Sequence, residues 1–148
     1  MGMKKILASD EAVFDCSREK LYQALVNLSS YSQWWPSIVG FRLVRVEPNH
    51  LGSTTEVRPF RTIRFDYEIA RLKENEEIAF KYSGSARGIG IWRIRTRGDK
   101  ILAKYEIDLT LHSWFMILIS KCISLRWVHS ALMKQAFKGL KAFLKRVE

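Results

Sequence analysis

Proline, glycine, cysteine and histidine are all scarce in this chain. Three prolines and eight glycines in 148 residues exclude a collagenous or low-complexity polymer. Two cysteines, Cys16 and Cys122, are too few for a disulfide framework, and no CxxC spacing or neighbouring histidine suggests zinc. They read as reduced, small apolar residues of the kind that is usually buried. The three histidines, at 50, 112 and 129, assemble with no serine, cysteine or carboxylate into a recognisable nucleophile or metal set. The longest apolar run, residues 114–119, is far short of the ~18–20 that cross a bilayer, and Lys121 soon interrupts it. No apolar stretch of signal-peptide type follows the charged N-terminus, so the chain reads as cytosolic.

What is present is a globular composition with a strong charge bias. Hydrophobic residues make up 47%, aromatics 12% and charged residues 27%, enough to build one core in a chain of one-domain length. Against 15 acids stand 25 lysines and arginines, a net charge of +10. Residues 1–74 carry +2 of it and residues 75–148 carry +8; from 109 onward there are seven basic groups and one acid, Glu148. Such an excess points to an acidic partner and says nothing of fold.

The hydrophobic pattern divides the chain into alternating segments and helical ones. Residues 6–16 read as a strand. Ser17 is a helix N-cap with Glu19 in the first turn, and Leu21, Leu25 and Leu28 give helical spacing over 18–28. Residues 31–35 predict a second short helix that Pro36 stops. Five or six strands follow: around Val39, Phe41 and Leu43; over 55–60; through Ile63, Phe65, Tyr67 and Ile69, alternating with Thr62, Arg64, Asp66 and Glu68; through Ile78, Phe80 and Tyr82; over 88–96; and over 101–111. A two-residue hairpin at Gly98-Asp99 places Ile94 opposite Ala103 and Trp92 opposite Tyr105, and that register sorts both strands into one apolar and one charged face. From about 117 to the end the period becomes 3.6. Leu118, Cys122, Leu125, His129, Leu132, Met133, Ala136, Leu140, Phe143 and Val147 form one stripe, which predicts a single helix of about 28 residues and ~42 Å. Gly139 inside it marks either close packing or a bend. The expectation is an α+β fold: a curved antiparallel sheet of six to seven strands wrapped around a long C-terminal helix, with two short helices after the first strand.

Particular residues sharpen this. Ala12-Val13-Phe14-Asp15-Cys16-Ser17-Arg18-Glu19, the segment Tyr31-Ser32-Gln33-Trp34-Trp35-Pro36, and Gly90-Ile91-Trp92-Arg93-Ile94 with Gly98-Asp99 resemble the START-like (SRPBCC, polyketide-cyclase, Bet v 1-like) superfamily and its helix-grip fold. Leu21-Tyr22-Gln23-Ala24-Leu25-Val26-Asn27 followed by Tyr31 is similar to its coenzyme-Q-binding and oligoketide-cyclase-like branch. The resemblance spans nearly the whole chain as one domain. It implies a cavity between sheet and helix for a hydrophobic molecule; it does not choose between carriers, cyclases and proteins acting on macromolecules.

Candidate ligand contacts are Phe65, Tyr67, Phe80, Tyr82, Trp92 and Tyr105 on the apolar strand faces, with His129 and Met133 on the helix stripe. The same aromatics also suit an ordinary core, and His129 suits a satisfied buried histidine, a polar contact to a ligand, or an acid/base. Trp34 and Trp35 are either a structural plug or the cavity mouth. Trp127 shares a helix side with Lys134, Lys138, Lys141 and Lys145, which suits docking on anionic lipid or RNA unless the loop at 112–117 covers it. Asp66/Glu68 and Glu106/Asp108 fall on the wet strand face and read as surface ion pairs; Arg58 reaches a cavity only if its strand phase is reversed. Three functions stay open: a carrier of a lipid, quinone, isoprenoid or polyketide needing no cofactor; a cyclase or dehydratase using His129 and Tyr105; and a ribosome-, RNA- or membrane-binding protein with a vestigial cavity.

Overall fold

The alternating segments pair into one sheet. A computed structural model describes residues 4–61 and 63–147; the N-terminal residues 1–3, Thr62 of the third alternation and the acid Glu148 lie outside the described residues. Seven strands are formed: β1 (Lys4–Phe14), β2 (Val39–Arg45), β3 (Thr54–Pro59), β4 (Phe65–Lys73), β5 (Glu77–Gly84), β6 (Ala86–Arg97) and β7 (Lys100–Leu111). Their order is β1-β7-β6-β5-β4-β3-β2, every neighbour antiparallel. The hairpin register holds, with Arg97 opposite Lys100, Ile94 opposite Ala103 and Trp92 opposite Tyr105. Along β7 every inward residue from Ile101 to Leu111 is buried. The first strand lies two residues earlier than expected, because Asp15 and Cys16 form the bend that leads to the capping Ser17. Ile63 falls in the turn before β4.

Ser17 caps α1 (Arg18–Val26), accepting from the Lys20 amide at 3.1 Å. A single 3-10 turn, Leu28–Ser30, then leads into α2 (Tyr31–Trp34). The curve of the sheet is filled from the other side by the C-terminal segment.

That segment departs from expectation. It forms two helices, α3 (Trp114–Ser120) and α4 (Leu125–Arg146), bent by 94° at the break. The physical reason lies in two serines, one capping α4 and one bonding back into the last turn of α3. Ser124 Oγ accepts from the Trp127 amide at 3.2 Å and starts α4 afresh. Ser120 Oγ donates to the Ile117 carbonyl at 2.6 Å and closes α3. Leu118 and Cys122 therefore leave the predicted buried stripe and are exposed, as is Val147 past the last turn. Met133, Ala136, Leu140 and Phe143 stay buried, while Leu125, His129 and Leu132 are half-buried. The expected burial of both cysteines fails at Cys122, which the break puts in solvent; Cys16 is half-buried.

Gly139 marks close packing. A Cβ there would overlap the Trp34 carbonyl oxygen, so α4 crosses α2 backbone to backbone. On the outer face of the sheet Arg93 reaches Glu77 and Glu106, both at 3.1 Å, and Lys5 reaches Asp108 at 3.7 Å. Such exposed pairs contribute about 0–1 kcal/mol each. Arg58 is also on this face, bonded to Glu56 and away from the core.

Candidate functional site

Between the sheet and the first two turns of α4 lies a cavity of about 150 Å³. Its sheet side is built by alternate inward residues, among them Val57, Phe65, Tyr67, Tyr82, Ile107 and Leu109. Its helix side is built by Leu125, Val128, His129 and Leu132 of α4, with Met116 of α3 above. Trp35 and the turn after β3, Pro59 and Phe60, complete the rim. Phe60 and Arg61 hold this turn with φ values of 56° and 62°, a left-handed backbone that costs a side-chain-bearing residue energy.

The structure divides the predicted contacts. Phe65, Tyr67, Tyr82 and His129 border the cavity. Phe80, Trp92, Tyr105 and Met133 do not; they lie in the packed core, each no more than 1% exposed. The reason is the position of α1 and the second half of α4, which close on the sheet beyond the cavity. Phe80 stacks on Tyr67 at 3.8 Å between ring centres, and Trp92 meets Phe137 of α4 edge-on at 5.9 Å. The two adjacent tryptophans also part company. Trp34 is buried and donates from Nε1 to Ser30 Oγ at 3.3 Å, so it is the plug. Trp35 is in the cavity wall, and its buried Nε1 has no hydrogen-bond partner.

The tyrosines form a network behind the wall. Tyr105 OH bonds Tyr67 OH at 3.0 Å and also Tyr82 OH. Tyr31 OH donates to the Leu25 carbonyl. Burial pushes all four phenols upward, so they stay neutral over the physiological range. Gly90 makes room for this cluster, since a Cβ there would overlap the Tyr105 hydroxyl.

His129 has a partner that the sequence reading missed. Its Nδ1 stands 3.4 Å from Asp10 Oδ2 on β1. The signal was there: Asp10 shares the inward face of its strand with Ala8, Ala12 and Phe14. His129 holds the Asp10 carboxyl below the usual carboxylate range, against the opposing effect of burial, with help from Ser130 and Arg126. Among the described residues no group of three or more His, Cys, Asp and Glu is placed to hold a metal ion.

Trp127, Lys134, Lys138, Lys141 and Lys145 are exposed along one side of α4. Trp127 is 69% exposed, so the loop before it does not cover it. The break adds an apolar surface that the sequence reading did not foresee. Trp114, Phe115, Leu118 and Ile123 are all exposed beside Trp127. Among the described residues no single helix is long and apolar enough to cross a membrane.

No family profile and no curated protein sequence matches this chain. Solved structures do. A START superfamily protein from Mycobacterium smegmatis superposes with a TM-score of 0.72 at 13% identity, over 96% of this chain and 99% of that one. The fold is START-like. The di-domain ARO/CYC StfQ of the steffimycin biosynthetic pathway matches with a TM-score of 0.73 at 13% identity, over 96% of this chain and 51% of that one. The Aha1 dimer from Colwellia psychrerythraea matches at 0.55 and 18% identity, over 88% and 93% of the two chains. One START-like fold thus carries three differently named proteins, and function has to be argued from the cavity itself.

Proposed function

We propose that the protein binds and carries a hydrophobic small molecule in its START-like cavity. The observation that carries this reading is the cavity wall. Sixteen of its twenty-one lining residues have purely apolar side chains, and the hydroxyls of its tyrosines are bonded within the protein. An apolar void of about this size stays dry and takes up a ring-sized guest. A quinone, isoprenoid, fatty acyl or polyketide chain would enter further by parting α3 from the turn at Phe60. Trp35 reports the event, since it stands in the wall. Titration with quinone and lipid extracts is expected to quench tryptophan fluorescence saturably. A linear, unsaturable response to every hydrophobic ligand would overturn the reading.

A second reading concerns where the cargo is exchanged. We infer a peripheral site on anionic membrane. It is supported by the five exposed apolar side chains around the α3–α4 break, with Lys121 and Arg126 among them and no acid between residues 109 and 147. Because Met116 of α3 also roofs the cavity, insertion of the outer side of α3 into lipid would loosen the roof from the same helix.

A further inference from the structure

Asp10 is a carboxylate on the apolar side of a strand. It lies opposite Tyr105 in the β1–β7 register and points toward α4. A buried charge is costly unless something answers it. Here the facing group is His129, whose Nδ1 is 3.4 Å from Oδ2, and neither of these two buried atoms makes a hydrogen bond. Tyr105 lies on the sheet side of the imidazole, 6.2 Å away between ring centres with the planes 23° apart.

This arrangement decides which nitrogen carries the proton. A carboxylate facing Nδ1 favours the tautomer that carries the proton there. Nε2 is then left with a lone pair. His129 is in the cavity wall, and the hydroxyls of the tyrosines beside it are bonded to a main-chain carbonyl or to one another. An occupant therefore meets one unspent acceptor, at His129, and one unspent donor, Trp35 Nε1, in an otherwise apolar wall.

We infer that the cavity is a site for a compact hydroxylated ring compound, which donates its O–H to His129 Nε2 while its carbon skeleton packs against Ile107, Leu109 and Val128. This rests on the carrier reading and narrows its ligand class. The chamber sets the size at about one ring. The wall sets the polarity: a hydroxyl can donate to His129 and accept from Trp35 Nε1, whereas a ketone or ether of the same shape can only accept and leaves His129 unanswered. Asp10 acts here as a positioning residue, through His129 and without touching the ligand.

Three small probes of similar size separate the outcomes: phenol, toluene and benzaldehyde. Their dissociation constants are read by NMR titration of the intact protein at a single, slightly alkaline pH. Toluene is the most hydrophobic of the three, so a wall with no unspent acceptor ranks it first. Phenol is expected to bind about tenfold more tightly than toluene and more tightly than benzaldehyde, which can accept from Trp35 but cannot donate to His129. Asp10→Asn is expected to cost phenol about tenfold while leaving toluene within about twofold. His129→Leu, which keeps the site filled, is expected to abolish the phenol preference and retain toluene. The ring nitrogen shifts of His129 in the phenol complex should show the proton on Nδ1, a signature that a merely structural role for Asp10 would not require. Toluene binding as tightly as phenol, or an unchanged ranking in Asp10→Asn, would overturn the inference and leave the carrier reading standing. Failure of all three probes to bind would overturn both.

Discussion

Glu56 shows how a single acid can be almost hidden at a protein surface. Its side chain is 1% exposed because Arg42, Arg58 and Arg64 lie over it, with Arg42 at 2.6 Å and Arg64 at 3.4 Å. Hydrogen bonds from Arg42 and then Arg58 hold its carboxyl at about 2, against 4.5 for an ordinary glutamate. A carboxyl depressed on folding contributes stability that is fully present above 4.5 and is lost as the pH falls toward 2. Thermal melts of the native protein should therefore drop more steeply across that window than melts of Glu56→Gln. Parallel curves would show that the cluster adds nothing to the folded state. At this scale the sequence was partly legible. Alternation placed Tyr67, Tyr82 and Tyr105 inward, and they are. It did not say that Tyr105 would be sealed behind the other two, because that depends on how α1 and α4 close over the sheet. Nor did an isolated acid such as Asp10 announce its partner, since His129 lies on another element.

At the scale of elements, the sheet was readable almost residue by residue, because a one-residue slip would have turned every side chain to the wrong face. The C-terminal helix was not. Its apolar stripe runs on through 117–125 with unbroken helical period, and the break depends on Ser124, one serine among several. Gly139 offers a test of how α4 is seated. Alanine gains about 1 kcal/mol of helix propensity there. Overlap with a main-chain oxygen that cannot swing aside costs about 1–3 kcal/mol or more. The overlap wins, so Gly139→Ala should lower the denaturant midpoint by the equivalent of about 1–2 kcal/mol. A more stable variant would mean that α4 and α2 do not touch as described. The α3–α4 corner makes a second prediction. Replacing Trp114 and Trp127 together by alanine should weaken binding to anionic vesicles severalfold without moving the melting temperature, because both side chains are already largely in water. An unchanged affinity in a sedimentation assay would remove the corner from the contact surface.

For the molecule as a whole, the charge and the cavity speak about different partners. The +10 excess sits largely on the second half of the chain, and the lysines of α4 face outward. No lysine, arginine, aspartate or glutamate lines the cavity, and the acid behind its wall, Asp10, faces His129. Binding to anionic vesicles should accordingly weaken with added salt, whereas uptake of a neutral ligand should not. If RNA were retained under salt that strips the protein from vesicles, nucleic acid would be the better partner.

The strand order has one more consequence. β1 pairs with β7 along its whole length, Lys4 with Leu111 through Phe14 with Ile101. A nascent chain thus carries its first strand unpaired until its last strand has emerged, and the largest loop in the protein must close before that edge is covered. Ile6 and Ile107 supply facing parts of one cavity wall. The cavity wall is incomplete on any shorter chain, so cargo can be held only once α4 has followed the seventh strand.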